Sequence, residues 1–247
     1  MKKHIPNIIT YCNHICDCIA TYSAFHHGYQ DAFIFILLGA FFDFFDGRIA
    51  RALGVSGKLG LELDSLADCV TFGVAPSAMI FTLFNHVAYP SFMGSEFFFR
   101  VMPFTAFLMA AFSAVRLAKF NLDERQHTEF IGMPTPANAI FWGALISSCE
   151  AWLTSPRFNA FFLFLFMILF CWLLVCEVPM FAFKGRFTWQ KEKAKIIFVV
   201  LADLILILSA FLCDEGIWIG LSRGAAVSIG LYVVTSMVAS FLPKNEE

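Results

Sequence analysis

The chain has 247 residues, 59% apolar, 17% aromatic and 15% charged, and its 17 Lys and Arg against 19 Asp and Glu leave a formal net charge of −2. Soluble globular domains carry about 25% charged and about 45–50% apolar residues, so this composition belongs to a membrane protein. The near-neutral balance lacks the concentrated basic surface on which nucleic-acid binding rests, and no nucleic-acid partner is expected.

No long Ser-, Pro- or charge-rich linker interrupts the sequence, which reads as one domain over residues 1–247 and as an all-α, polytopic membrane bundle. Eight stretches approach the ~20 residues needed to cross a bilayer. The first, 5–27, is interrupted by Asn7, Asn13, His14 and Asp17, and the second, 31–53, ends in charged residues at helical spacing. The others are 63–84, 101–120, 136–152, 158–183, 196–213 and 217–242. Eight transmembrane helices are therefore predicted, or six if two stretches are re-entrant or peripheral. Pro90, Pro103, Pro134, Pro136, Pro156 and Pro179 fall near span ends or in connections, where a missing donor is tolerated.

Basic residues set the orientation. Lys2, Lys3, Arg51, Lys58, Lys119, Arg125, the run Lys184, Arg186, Lys191, Lys193 and Lys195, and Lys244 alternate onto one side. Arg100, Arg157 and Arg223 lie near the other, so both termini are expected in the cytoplasm. No small-residue cleavage site follows the first apolar run, which reads as an uncleaved span. Of the eight cysteines, Cys12, Cys16 and Cys18 cluster, but no second cluster or local His completes a zinc pattern. They read as small buried hydrophobes.

The sharpest feature is Asp43-Phe-Phe-Asp46-Gly47-Arg48-Ile-Ala50-Arg51, followed after eight residues by Gly60-Leu-Glu-Leu-Asp64-Ser-Leu-Ala-Asp68. Positions 43, 46 and 50 share one helical face, and 64 and 68 share a face of the next helix. Gly54, Gly57 and Gly60 lie in or beside the connection, which can turn the chain and bring the two faces together. Four carboxylates at such depth are costly without positive compensation. Hard divalent cations such as Mg²⁺ or Mn²⁺ supply it through oxygen ligands and can hold substrate phosphates. Arg51 can meet phosphate oxygens with its planar fork, and Gly47 permits close approach of a ring or sugar. Pairing of Asp43 and Asp46 with Arg48 and Arg51 is the plain structural alternative. An ion carrier is another, although its charges would lie deep along a pathway rather than toward helix ends. A noncatalytic scaffold would leave the four carboxylates without a purpose.

These residues resemble the CDP-alcohol phosphatidyltransferase family, whose motif D-x2-D-G-x2-A-R-x8-G-x3-D-x3-D is matched at every fixed position from Asp43 to Asp68. The resemblance implies a two-metal centre of Mg²⁺ or Mn²⁺ on Asp43, Asp46 and Asp64, with Asp68 beside the metals as general base. It places Gly47, Ala50, Arg51 and Gly60 around the cytidine diphosphate of the donor. Pro6-Asn7-x2-Thr10-x2-Asn13 also resembles family members; Thr10 and Asn13 then touch the nucleotide or the metal-bearing helix, or simply pack helices together.

A second pair of segments, Arg116-Leu-Ala-Lys119-Phe-Asn121 and Phe130-Ile-Gly132-Met-Pro-Thr-Pro136-Ala, resembles signatures of the integral-membrane phosphatidylserine synthases in that family. Lys119 stands where a second Arg is usual, Met133 replaces Leu, and Asn138 stands where Ala is usual. The resemblance covers residues 5–140 and implies transfer from CDP-diacylglycerol to L-serine with release of CMP. Glycerol phosphate, inositol phosphate and choline are the other acceptors the family's chemistry admits. Arg116 is expected to hold the serine carboxylate or a donor phosphate, with Lys119 and Asn121 beside it; snorkelling and the positive-inside bias are the structural readings of the two cations. The implied setting is a homodimer, among membrane lipid, in a bacterial cytoplasmic membrane with the site facing the cytoplasm.

Overall fold

Apolar residues at helical spacing dominate the chain, and a computed structural model describes residues 5–55, 57–123, 130–181 and 193–241 as almost wholly helical. In chain order these are α1 (Ile5–Phe25), α2 (Tyr29–Leu53), α3 (Lys58–Cys69), α4 (Ala75–Phe84), α5 (Glu96–Val101), α6 (Phe107–Leu122), α7 (Thr135–Leu153), α8 (Ala160–Val175), α9 (Lys193–Leu212) and α10 (Ile217–Phe241). A π-helical turn, Val70–Val74, joins α3 to α4. A 3₁₀ turn, Met102–Ala106, joins α5 to α6. Two short strands, β1 (Phe130–Ile131) and β2 (Pro179–Met180), pair antiparallel.

The expected eight spans, or six at the fewest, are corrected by these helices. Among the described residues four are long and apolar enough to cross a membrane: Leu59–Phe84, Glu96–Leu122, Lys195–Leu212 and Ile217–Ser240. The others fail for identifiable reasons. Helix α1 carries Asn7, Thr10, Asn13, His14 and Asp17, and α2 carries Asp31, Asp43, Asp46, Arg48 and Arg51. Helix α7 contains Ser147, Ser148 and Glu150 and breaks helical geometry at Cys149. Helix α8 is apolar throughout but has only 16 residues. At 1.5 Å per residue that is about 24 Å, short of a ~30 Å hydrocarbon core. Lys2, Lys3, Arg125, Lys184, Arg186, Lys191 and Lys244, on which the orientation partly rested, lie outside the described residues.

The core gathers where α2, α4, α7 and α8 meet. Trp142 is fully buried, with the Phe166 and Phe170 rings at 5.4 and 5.5 Å, and Phe33, Phe72 and Phe84 are buried in the same cluster. Helix α1 packs along α2 and against α3 and α4.

A close three-way approach is at Gly39 of α2. A Cβ there would lie 2.8 Å from Asp17 Oδ1, 2.8 Å from Thr71 Cγ2 and 2.9 Å from the Asn13 amide. Only a residue without a side chain lets α1, α2 and the π turn share this point. Gly39→Ala is expected to cost about 1–3 kcal/mol as an overpacked core position. Thermal unfolding of the purified chain in detergent checks it, and an unchanged midpoint would show that the three elements can part at no cost.

Candidate active site

The site begins at the corner between α2 and α3. Gly54 ends α2 in the left-handed region (φ 64°), its N–H reaching the Ala50 and Arg51 carbonyls, a conformation that costs other residues more. Gly57 then starts α3 in extended geometry, its carbonyl accepting from the Leu61 N–H at 3.2 Å. This corner sets the Asp-bearing faces of two successive helices toward each other.

Asp43, Asp64 and Asp68 converge, one carboxylate oxygen of each lying within 4.8 Å of the other two. Asp64 Oδ1 and Asp68 Oδ1 are buried without a hydrogen-bond partner. Three carboxylates this close repel one another, and orphaned buried acceptors are rare unless a ligand is meant to meet them. An all-oxygen anionic set of this kind fits a hard divalent cation.

Asp46 is 4% exposed and stands outside that triad. Its Oδ2 accepts a 2.6 Å hydrogen bond from Thr10 Oγ1, which fixes the carboxylate against α1. Arg48 turns away, its guanidinium 4.2 Å above the Phe44 ring. Neither contact is the Asp–Arg pairing that the structural alternative required.

Asp64 also lines a cavity of about 380 Å³ between α1, α2 and α3, shared with Thr10, Asp46, Gly47, Ala50, Arg51 and Gly60. A Cβ on Gly47 would meet nothing closer than Arg51 Nη1 at 3.4 Å, so that surface is open to a ligand. Of the predicted substrate residues, these five besides the aspartates are brought to one wall. Pro6, Asn7 and Val55 line it too. Asn7 was legible only as part of the N-terminal Pro6-Asn7 resemblance.

Asn13 is not brought there. It is fully buried, and with its amide nitrogen turned inward it donates to Asp17 Oδ1 (3.2 Å), Gly39 O (3.1 Å) and Thr71 Oγ1 (3.2 Å). Thr71 in turn donates to Ala67 O at 3.0 Å, in the turn that carries Asp68. Asn13 thus ties α1 to the π turn behind the carboxylates instead of lining the cavity. On the other side of this turn, a Cβ on Gly73 would come within 3.2 Å of Ser113, so α6 is seated closely against it.

Helix α6 carries the other predicted residues, and they separate. Arg116 is 5% exposed, stacks over Phe120 (4.8 Å) and Phe130 (5.7 Å), and has Nε and Nη2 without partners. Lys119 instead donates to the Val175 carbonyl (3.3 Å) at the end of α8, where a cation suits the free carbonyls. Gly132 (φ 74°) and Met133 serve the same end, their N–H groups donating to Val178 O (2.9 Å) and Leu173 O (2.8 Å). The Gly132–Pro136 turn thereby docks α8. Asn121 donates from Nδ2 to Ser65 Oγ at 2.8 Å, joining α6 to α3 next to Asp64.

Known proteins share this arrangement's sequence. A serine O-phosphatidyltransferase acting with CDP-diacylglycerol from Bacillus subtilis is 39% identical over 138 residues, 54% of this chain and 70% of that protein. The enzyme of the same name from Saccharomyces cerevisiae is 37% identical over 149 residues, 54% of this chain and 50% of its own length. That from Mycobacterium bovis is 30% identical over 187 residues, 71% of this chain and 60% of its own. The chain thus spans between 50% and 70% of the length of these relatives. The family model for CDP-alcohol phosphatidyltransferases matches residues 3–221, taking in α1, the whole carboxylate constellation, α6 and the helices behind them. That match sets the carrier and scaffold alternatives aside: the chain belongs to the CDP-alcohol phosphatidyltransferase family, and is a membrane-associated enzyme of that class.

Proposed function

We propose that the chain transfers the phosphatidyl group of CDP-diacylglycerol to the hydroxyl of L-serine, giving phosphatidylserine and CMP. One observation carries the reading: Asp64 belongs both to the carboxylate triad and to the wall of the cavity that holds Thr10, Gly47 and Arg51. A nucleotide in that cavity has its phosphates beside the triad. The shared name of the relatives supports serine as the acceptor.

Asp43, Asp64 and Asp68, with Asp46 alongside, would hold two Mg²⁺ or Mn²⁺ ions. Bound there, such ions offset charge on the pyrophosphate and on the departing CMP. The chain's own residues do the rest. Thr10 holds the Asp46 carboxylate in one orientation. Arg51 offers its fork to phosphate oxygens, and Gly47, Ala50 and Gly60 leave a shallow surface for the cytidine and ribose. Asp68 takes the proton of the serine hydroxyl. The serine oxygen forms its bond to the phosphorus that bears diacylglycerol as the bond to the CMP oxygen breaks, so no covalent enzyme intermediate is needed. Arg116, with two donors unpaired, binds the serine carboxylate. Asn121 holds the α3–α6 junction, and Lys119 anchors α6 on α8. The donor's acyl chains lie in the bilayer, the site opens to the cytoplasm of a bacterial cell, and the working unit is a homodimer.

The test is CMP release by the purified chain in CDP-diacylglycerol micelles with Mg²⁺ or Mn²⁺, offering serine, glycerol phosphate, inositol phosphate or choline. Release with serine alone, abolished by EDTA, is the expected result. Release with another alcohol keeps the class of reaction and overturns the acceptor. No release from folded protein with any of the four overturns the reading.

A further inference from the structure

The Arg116 guanidinium lies over two rings, Phe120 at 4.8 Å and Phe130 at 5.7 Å. Phe120 comes with α6 itself, one turn along the same helix. Phe130 belongs to β1 and is put there by the ribbon that carries it. That ribbon is short: Phe130 pairs with Met180 and Ile131 with Pro179, and the Gly132 N–H donates to Val178 O at 2.9 Å. Two strands of two residues are not stable by themselves. Helix α10 supplies the anchor. Tyr232 Oη donates to Phe181 O at 2.9 Å, and the Phe181 N–H donates to Ser236 Oγ at 3.3 Å. Both backbone groups of the residue that follows β2 are thus held by two side chains one turn apart on α10. Tyr232 and Ser236 are buried, so these bonds are shielded from water, and the Tyr232 ring rests 5.9 Å from Phe198 of α9.

We propose that Tyr232 and Ser236 are positioning residues for the acceptor. By fixing the Phe181 peptide they hold β2, through it β1 and the Phe130 ring, and through that ring the plane of the Arg116 guanidinium. The inference rests on the reading that Arg116 binds the serine carboxylate. A guanidinium pairs with a carboxylate edge-on and in its own plane, so the fork works only where that plane is set. A ring against its face sets the plane and leaves the unpartnered Nε and Nη2 at the edge for the anion. Loss of the anchor on α10 lets the ring shift and the fork turn. The nucleotide cavity is walled by α1, α2, α3 and their corner, so the effect falls on serine and not on the donor.

The experiment is a double-mutant cycle on Tyr232→Phe and Arg116→Met in the purified full chain. CMP release is measured with serine varied at saturating CDP-diacylglycerol, and then with the donor varied at saturating serine. Tyr232→Phe removes only the hydroxyl, and is expected to raise the KM for serine about 3- to 10-fold, the range of one net hydrogen bond. The kcat and the KM for CDP-diacylglycerol are expected to stay unchanged. Ser236→Ala, which frees the other Phe181 group, is expected to act in the same direction. With Arg116→Met already present, Tyr232→Phe is expected to change the remaining use of serine less than about twofold, because the group it positions is gone. A serine KM unmoved by both Tyr232→Phe and Ser236→Ala overturns the proposal and leaves Arg116 in its role. So does a loss shared equally by both substrates, or one that persists in full beside Arg116→Met. If Arg116→Met alone leaves serine use intact, the reading of Arg116 fails and the proposal falls with it.

Discussion

Asp68→Asn is expected to slow CMP release about 10²- to 10⁴-fold, the usual contribution of a positioned general base. The replacement keeps the size of the side chain and its place beside the π turn, and removes the carboxylate basicity that takes a proton. Asp68 also stands within 4.8 Å of Asp43 and Asp64, so the same change weakens the metal site. The two effects part in a titration with Mn²⁺. A loss restored by excess metal reports ligation alone, whereas a loss that persists at saturating metal, with donor affinity unchanged, reports proton transfer. Restoration at high metal would remove Asp68 from its role as base. Asp43→Asn serves as the comparison, since it alters the metal site while leaving the Asp68 carboxylate in place, and its loss is expected to recover as Mn²⁺ rises.

The convergence of Asp43, Asp64 and Asp68 was legible because helical spacing fixes which residues share a face, and the glycines between the helices forecast the turn. The same spacing put Asp46 on the face of Asp43, yet a rotation of one side chain toward Thr10 moved it to the cavity wall. That choice belongs to α1, 36 residues away, and no local pattern encodes it. Asn13 shows the limit more plainly. It shares a stripe with Thr10, but it points at a buried carboxylate, a bare backbone carbonyl at Gly39 and a hydroxyl from the π turn. The π turn itself, over Val70–Val74, carries no sequence mark. The span count departs from the structure for a related reason: an apolar window does not mark where its helix stops. The stretch 158–183 was long enough as a run of apolar residues. In the structure α8 ends at Val175 because the Gly132 turn and Lys119 take up its last carbonyls, and the chain then extends into β2.

Arg116→Met is expected to reverse the usual sign between stability and activity. A buried guanidinium with two unpaired donors costs several kcal/mol in desolvation, against about 0.5–2 kcal/mol gained from a cation over aromatic rings. Methionine fills similar space without charge, so thermal unfolding of the variant in detergent should occur at the same temperature or higher. Use of serine should nevertheless fall. A hydrogen bond between charged groups is worth about 1.5–3 kcal/mol, so kcat/KM for serine should drop about 10- to 150-fold with the KM for CDP-diacylglycerol unchanged. Arg116→Lys keeps the charge but not the fork, and should recover only part of that loss. If Arg116→Met instead unfolds earlier and impairs both substrates alike, the guanidinium is a structural group and the serine carboxylate binds elsewhere. On the proposed reading, the buried Arg116, 5% exposed with two donors unpartnered, is kept at a cost in stability for an anion that arrives with the substrate.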